Sequence, residues 1–452
     1  MKKLLVIFLS VVLTVSMFGC EKDDNQNHKK SGGKKPTPDG IVDDIDSKKD
    51  PDKDPNKNPN KDELLKLFDR YYVEEDQLKW EYTEASKTLV ISGEGSMRDY
   101  FDTEPEWIKY QDIAERVVIG DEVTSVGNSA FYAFSALREV SLGRAVACVD
   151  SSAFLKCYEL RTVNFPEGLK LVGDYAFCNT LLHSDHGFKL PEGLLYVGKS
   201  AFFSAFKESF VDLPASLVWI EESAFDNCFV EEFRVAEENP AYAAKDGVLY
   251  SKDMDILMNY PADKKDTVFE IPDTVTTIRT NAIQVANTLA KIVIPKSVRM
   301  ISDAAIYWNY GLKEFVVAED NESYTAIDGV LFTKDGKHLI CYPAASERTV
   351  YSVPDGTKSI DVYAFSSASL LQEVFLNDDV SEIGSYAFDN CYSLSEITVS
   401  NSLKKVAEYA FGNCGSLTKV HYCGTPEDFR TVQIENGNSY FTDNVYFYMT
   451  LR

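Results

Sequence analysis

The chain has 452 residues, 44% of them hydrophobic, enough to bury an extended core, and a formal net charge of −25. The acidity belongs to the body, because beyond residue 62 there are 34 lysines and arginines against 60 aspartates and glutamates. A surface of that sign repels polyphosphate and anionic lipid, which argues against nucleic acid as a partner and leaves basic or neutral ligands.

Residues 1–19 carry Lys2 and Lys3, an apolar run from Leu4 to Val15 and the closing stretch Ser16-Met17-Phe18-Gly19. That is the pattern of a signal peptide, and it is too short to span a membrane. Cys20 follows directly and resembles the lipobox cysteine of bacterial lipoproteins, which implies that its thiol is lipidated and that the membrane is reached through this anchor alone. Glu21-Lys22-Asp23-Asp24 is similar to the export signal of surface lipoproteins in Bacteroidota, implying an outward-facing outer-membrane location at the cell surface. Residues 21–62 hold ten lysines and eleven acids with almost no large apolar side chains. They cannot offset the entropy of ordering, so 20–62 reads as a lipidated cysteine and a disordered tether. Asp52, Asp54, Asn56, Asn58, Asn60 and Glu63 fall on the spacing of a calcium loop, but Lys57 stands where the turn glycine belongs and Pro55 and Pro59 interrupt it, so no metal is expected.

The body is repetitive. Ala130-Phe131, Ala153-Phe154, Ala176-Phe177, Ala201-Phe202, Ala224-Phe225, Ala364-Phe365, Ala387-Phe388 and Ala410-Phe411, with Ala282-Ile283 and Ala305-Ile306, recur mostly at steps of 23 residues. Five positions before each Phe or Ile stands a β-branched residue, from Val126 to Val406. Alternating stretches such as Leu137–Leu142, Leu160–Phe165, Leu394–Val399 and Leu417–Tyr422 read as strands. One coil cannot bury these rows alone, whereas stacked coils form a continuous core. Two steps are longer, 58 and 59 residues, and their extra residues are copies of each other. Asn239-Pro240-Ala241-Tyr242 and Asn321-Glu322-Ser323-Tyr324 open them, and the strands around Lys252-Asp253 and Lys334-Asp335-Gly336 read as β-hairpins.

The pattern of Leu-x-x-Val-x-Ile-Pro, then Val-x-x-Ile-Gly and Ala-Phe-x-x-Cys, resembles the BspA-like branch of bacterial leucine-rich repeats from about residue 78 onward. The resemblance implies an α/β-type, mostly-β right-handed solenoid over 119–424, with hairpin inserts near 236–270 and 318–350. Leu78–Tyr82, Thr88–Gly95 and Trp107 look like that family's amino-terminal cap, taken as 63–118, and Tyr422-Cys423-Gly424-Thr425-Pro426-Glu427-Asp428-Phe429 resembles its closing unit, with the carboxy-terminal cap taken as 425–452. Inserts of this kind are common in the family, so they are coil variants or ligand contacts.

Eight cysteines follow Cys20. Cys157, Cys228, Cys391 and Cys414 each lie three residues after a repeat Phe, which favours buried thiols acting as small hydrophobes. A bridge between Cys391 and Cys414 is the alternative, since stacked strands are about 5 Å apart. No nucleophile and base pairing, phosphate loop or zinc spacing stands out. His183-Ser184-Asp185-His186 lies in the coil of 25 residues and reads as a solvated bulged loop rather than a metal site, and Glu221-Glu222, Glu231-Glu232 and Glu237-Glu238 read as solvated faces rather than glycosidase acids. No catalysis, cofactor or metal is expected.

What remains is the outward strand face. Its middle residues are Ser141, Asn164, Arg234, Val293, Val316, Phe375, Thr398 and His421, with Val293, Val316 and Phe375 as an apolar run that is either a binding patch or simply β-forming sequence. The expectation is a monomeric adhesin-like or scaffold protein binding an extracellular protein or glycoprotein. The alternative is a glycan-binding accessory lipoprotein of a polysaccharide-uptake system.

Overall fold

The computed structural model describes residues 61–448. The leader, Cys20, the export motif and the tether up to residue 60 lie outside the described residues. Residues 61 and 62 do not belong to the tether, because Lys61–Phe68 is an α-helix with Asp62 and Glu63 in its first turn, where acids oppose the helix dipole favourably. Leu64, Leu67, Phe68 and Tyr71, three and four residues apart, form one stripe that packs on Cys148, Leu171, Tyr196 and Trp219.

The chain divides into two compact units, one comprising residues up to Leu182 with Gly193–Ala205 and Trp219–Ala224, the other His183–Glu192, Phe206–Val218 and Phe225 onward. In both, each repeat makes one three-sided coil. In the first unit, Thr88–Ser92, Arg116–Ile119, Glu139–Ser141 and Thr162–Asn164 pair in parallel on one side, and Lys79–Thr83 closes that sheet antiparallel. Two-residue strands, Cys148–Val149, Leu171–Val172, Tyr196–Val197 and Trp219–Ile220, form the second side. Their β-branched second residues point inward and are buried, as the repeat requires. The repeat phenylalanines stack through the core at centroid distances of 5.3 Å (Phe131–Phe154), 5.4 Å (Phe154–Phe177) and 5.5 Å (Phe177–Phe202).

The third side is a run of tight turns with left-handed residues at regular places, such as Ser129 (φ 57°) and Ala133 (φ 56°), or Tyr175 and Asn179 (both φ 58°). Left-handed backbone disfavours most L-residues but suits Asn, which explains the asparagines at Asn179, Asn227, Asn390 and Asn413. This alternation turns the amides of Ser129, Phe131 and Ala133 toward the next coil, where they donate to the carbonyls of Ser151, Ala153 and Leu155 at 3.0, 2.9 and 2.8 Å. With these alternate amides all aimed one way, the first coil would leave the matching carbonyls orphaned. Trp107 Nε1 donates to Ala130 O at 2.9 Å, and Gln111 Nε2 to Tyr132 O and Ala133 O at 3.2 and 2.8 Å. At the far end of the second unit the last amides are taken up by Asn436 O (from Tyr409, 2.9 Å) and Asn438 Oδ1 (from Phe411, 3.1 Å), and Phe441 ends the ring stack 4.7 Å from Phe411. The flanking segments thus complete both the polar and the apolar rows.

The inserts contain the expected hairpins at Lys252-Asp253 and Lys334-Asp335-Gly336, each extended by a further strand into a three-stranded antiparallel meander. Tyr242–Lys245, Val248–Ser251 and Ile256–Asn259 form the first, and Tyr324–Ile327, Val330–Thr333 and His338–Cys341 the second. The first turn of each is Asp-Gly with both residues at positive φ (Asp246 51°, Gly247 78°; Asp328 50°, Gly329 78°), the geometry that matches strand twist. The third strand of each joins the two-residue ladder in parallel, Leu257 opposite Ile278 and Leu339 opposite Ile360. Each insert is therefore built into the coil stack as part of a coil.

They also interrupt it. In the strand Val330–Thr333, Val330 and Phe332 belong to one core cluster and Leu331 to another, so alternation makes the strand a partition between two cores. The single unbroken core expected from the repeat is not what forms. Among the described residues, α-helix is confined to Lys61–Phe68, Pro426–Phe429 and Ser439–Thr442, and the fold is mostly β.

Candidate ligand face

The outward column sits in the inferred register, but on separate sheets. In the first unit Val118, Ser141 and Asn164 are consecutive partners. In the second unit Arg234 pairs with Asp212 in one three-stranded sheet, Glu270, Val293 and Val316 align in another, and Ser352, Phe375, Thr398, His421 and Tyr446 align across a five-stranded sheet.

The apolar run of Val293, Val316 and Phe375 therefore does not form. Val293 and Val316 are neighbours, but Phe375 stands on a different sheet between Ser352 and Thr398. The second insert is the cause. Val420 gives its amide to the next strand at Asn444 O, 2.9 Å away, whereas the equivalent Phe315 gives its amide to Gly329 O at 2.9 Å. The Asp-Gly turn occupies the place of the next strand and ends the sheet. The first insert does the same, Phe233 donating to Gly247 O at 2.7 Å.

Several face residues are engaged within the protein. The Asn164 carboxamide accepts from Leu142 N at 2.6 Å and donates to Leu142 O at 3.0 Å, so it staples neighbouring strands. The Arg234 guanidinium lies 3.6 Å from the Phe210 ring centroid and pairs with Glu232. His421 Nε2 lies 3.2 Å from Glu396 Oε2, and Lys419 bridges the same carboxylate. Those two hydrogen bonds hold Glu396 below the usual carboxylate range. Val316 and Phe375, 40% and 37% exposed, keep their side chains in solvent.

Two features escaped the sequence reading. One is the aromatic end of the five-stranded sheet, where the His421 ring lies 6.4 Å from Tyr446 and 4.9 Å from Tyr448. Its signal was the alternation in Val445-Tyr446-Phe447-Tyr448. The other is the column Cys148, Leu171, Tyr196 and Trp219 under the helix. Each stands one residue before a repeat β-branched residue, at the outward place that Thr277, Ser359, Glu382 and Lys405 fill elsewhere with polar groups.

Of the groups weighed for chemistry, His183 and Glu221 are tied into the structure. His183 Nδ1 lies 3.0 Å from Glu208 Oε1, which also accepts from Ser184 N at 2.7 Å, so a buried carboxylate holds the base of that loop. Glu221 accepts from Trp219 Nε1 at 2.8 Å and pairs with Lys61 at 2.7 Å. Ser359 Oγ lies 2.6 Å from His338 Nδ1 and donates to Asp361 Oδ1 at 2.9 Å, while Asp361 Oδ1 is itself 3.3 Å from the same Nδ1. A nucleophile relay needs the hydroxyl and the carboxylate on opposite ring nitrogens, which this is not. Among the described residues no group of three or more His, Cys, Asp or Glu is placed to hold a metal ion.

The eight cysteines among the described residues are all thiols, seven of them buried, including Cys391 and Cys414. Cys157, Cys391 and Cys414 donate to the Phe carbonyls of the preceding coil, Phe131, Phe365 and Phe388, at 3.1, 3.1 and 3.0 Å. Burial pushes the Cys157 and Cys414 thiols up to about 12.

Stacked coils of about 23 residues, parallel ladders and completed ends define a mostly-β leucine-rich-repeat solenoid. The family model described as "BspA type Leucine rich repeat region" matches in six copies over residues 109–231, 263–336 and 344–442, and the chain belongs to that family. Among solved structures, a leucine-rich repeat protein from Eubacterium ventriosum is 24% identical over 84% of this chain and 96% of its own, with a TM-score of 0.57. A leucine rich cell surface protein from Faecalibacterium prausnitzii is 22% identical over 81% and 98%, with a TM-score of 0.49. The first of these likenesses is one of fold. No curated protein matches the chain.

Proposed function

We propose that the chain is a noncatalytic surface protein, adhesin-like or a scaffold, that binds an extracellular protein or glycoprotein on the outward face of its longer strands. The observation that carries this reading is the register-aligned column Phe375, Thr398, His421 and Tyr446, which places two exposed aromatic rings on one five-stranded sheet. Repeat sheets present such columns to partners, and exposed aromatics anchor interfaces. Anchoring rests on the lipobox-like Cys20, and among the described residues no helix is long and apolar enough to cross a membrane. The acidic body disfavours nucleic acid.

The test is binding of the wild-type chain and the double variant Phe375→Ala/Tyr446→Ala to immobilised mucosal protein, native and enzymatically deglycosylated, beside a glycan array. The expected result is saturable binding that survives deglycosylation and weakens at least about tenfold in the variant, the loss typical of an anchor residue. No saturable binding, or binding unchanged in the variant, sinks the proposal. Binding to soluble glycans alone replaces it with the glycan-accessory reading.

A further inference from the structure

Trp80 and Tyr82 alternate with Lys79, Glu81 and Thr83 along the strand that closes the first unit's sheet, so both rings lie on its half-buried side. The short helical turn Glu106–Tyr110 brings a third ring against them. Tyr82 stacks on Tyr110 with centroids 4.0 Å apart and covers one face of that ring. Trp80 meets Tyr110 at 5.9 Å and an angle of 64°, so the two stand as the walls of a corner. Glu106 fixes the indole, its Oε2 accepting from Trp80 Nε1 at 3.0 Å.

The corner already holds a cation. The Lys109 ammonium lies 4.8 Å from the Trp80 centroid and 5.2 Å from that of Tyr110, inside the roughly 6 Å over which a ring face attracts positive charge. Lys61, Lys189, Lys207 and Arg234 also lie over rings, but each of them pairs with a carboxylate as well. Lys109 is bridged to no carboxylate among the described residues, and it is exposed. Its ammonium is therefore held by the rings, on a flexible stem whose ordering costs entropy, and it is displaceable. The surroundings favour a replacement of the same sign, because residues 74–106 carry ten acids against three lysines and arginines.

We propose that this corner is a binding site for an alkylammonium group, with Lys109 as the built-in occupant that the ligand displaces. Two ring faces at a steep angle, with a carboxylate at the edge of one, suit a compact cation with apolar flanks and repel an anion. The group is a lysine side chain of a protein partner or a small quaternary ammonium, one chemistry from two sources. The site belongs to the first unit and does not depend on the strand face of the second. Attraction to exposed rings is modest, so a free ammonium binds in the millimolar range, about 1 mM once Lys109 is removed.

The test is a ligand-observed NMR titration of the full chain carrying Cys20→Ala, which removes the lipidation site, with and without Lys109→Ala. The probes are tetramethylammonium and N-acetyl-lysine methylamide, against the neutral tert-butanol and N-acetyl-norleucine methylamide. In Lys109→Ala an ammonium probe should saturate, its methyl or ε-methylene protons moving upfield as they enter the ring faces, and should bind at least about fivefold more tightly than its neutral counterpart. With Lys109 present the same binding should be at least about fivefold weaker, and Tyr110→Leu added to Lys109→Ala should abolish it. Preference for the lysine probe assigns the site to a partner's lysine, and preference for tetramethylammonium to a quaternary ammonium. If Tyr110→Leu fails to fold, the contrast between charged and neutral probes decides. No saturable binding in Lys109→Ala, an ammonium bound no better than its neutral counterpart, binding unchanged by Lys109, or binding that survives a folded Tyr110→Leu would each overturn the proposal.

Discussion

Asn321 begins the second insert with its carboxamide 1% exposed and fully used. Its Nδ2 donates to Pro295 O at 2.7 Å and Val298 O at 3.1 Å, and its Oδ1 accepts from Ser323 N at 2.9 Å and Tyr324 N at 2.7 Å. Asn239 makes the equivalent four bonds in the first insert. Each such bond contributes about 1 kcal/mol net, and a buried group left without a partner costs more, so Asn321→Ala should cost about 4 kcal/mol. Asn321→Asp keeps the acceptors but sets a carboxylate against two carbonyls, and should cost at least as much at neutral pH. Global unfolding ranks variants of a repeat chain but does not place their losses along it, because its cooperativity can break down. Amide hydrogen exchange over Tyr324–Ile327 and Val330–Thr333 reads the local opening free energy instead. A loss of less than about 1 kcal/mol there in Asn321→Ala would refute the claim that this residue seats the insert.

Two further outcomes follow from the geometry. Three glycines at positive φ form a graded series: a Cβ on Gly247 would stand 2.6 Å from Glu232 Cβ, one on Gly329 3.1 Å from Glu314 Cβ, and one on Gly336 would meet nothing. Thermal melts should rank Gly336→Ala as mildest, at about 1–2 kcal/mol for the left-handed backbone alone, with Gly329→Ala next and Gly247→Ala most costly; equal losses would dismiss the close approach as a cause. Burial raises the Asp389 carboxyl to about 7, partly opposed by hydrogen bonds from Asn413 and Asn390. The folded state then holds a proton that the unfolded chain releases near pH 4, so Asp389 contributes stability at low pH that is lost as pH rises toward 7. Urea titrations at pH 5 and pH 8 should show a difference that shrinks in Asp389→Asn, and an unchanged difference counts against this role.

The coil was legible because its signals are core signals. The Ala-Phe dipeptide and the β-branched residue five positions earlier recur wherever a ring must stack on a ring, and the structure stacks them. The cysteines three residues after Phe were legible as inward, though not as donors to the preceding coil. The inserts were found as copies but drawn one strand short. The hairpins turning at Lys252-Asp253 and Lys334-Asp335-Gly336 are present, and what was missed is the first strand of each meander, joined through Asp246-Gly247 and Asp328-Gly329, the strongest short hairpin signals in the chain. The helix Lys61–Phe68 was missed because its eight residues adjoin a charged segment and its helical spacing is brief. Its binding partner was in plain view as four outward apolar residues at Cys148, Leu171, Tyr196 and Trp219.

The candidate face shows where local periodicity stops being informative. A period of 23 correctly aligned Val293 with Val316, and Phe375 with Thr398 and His421, because register within a sheet follows from the repeat. It could not reveal that the step from Val316 to Phe375 is no step at all. That depends on one backbone amide, Phe315 N, bonding to Gly329 O rather than to a following strand. A ligand that reads Phe375 therefore reads Thr398, His421 and Tyr446 with it and does not gain Val293 or Val316 by continuity. If the inserts took part in recognition, they would do so by setting where each sheet ends. Deleting residues 318–350 should thus unseat the sheet boundary along with any contact they make, whereas Gly329→Ala disturbs the boundary and leaves the meander's exposed side chains in place.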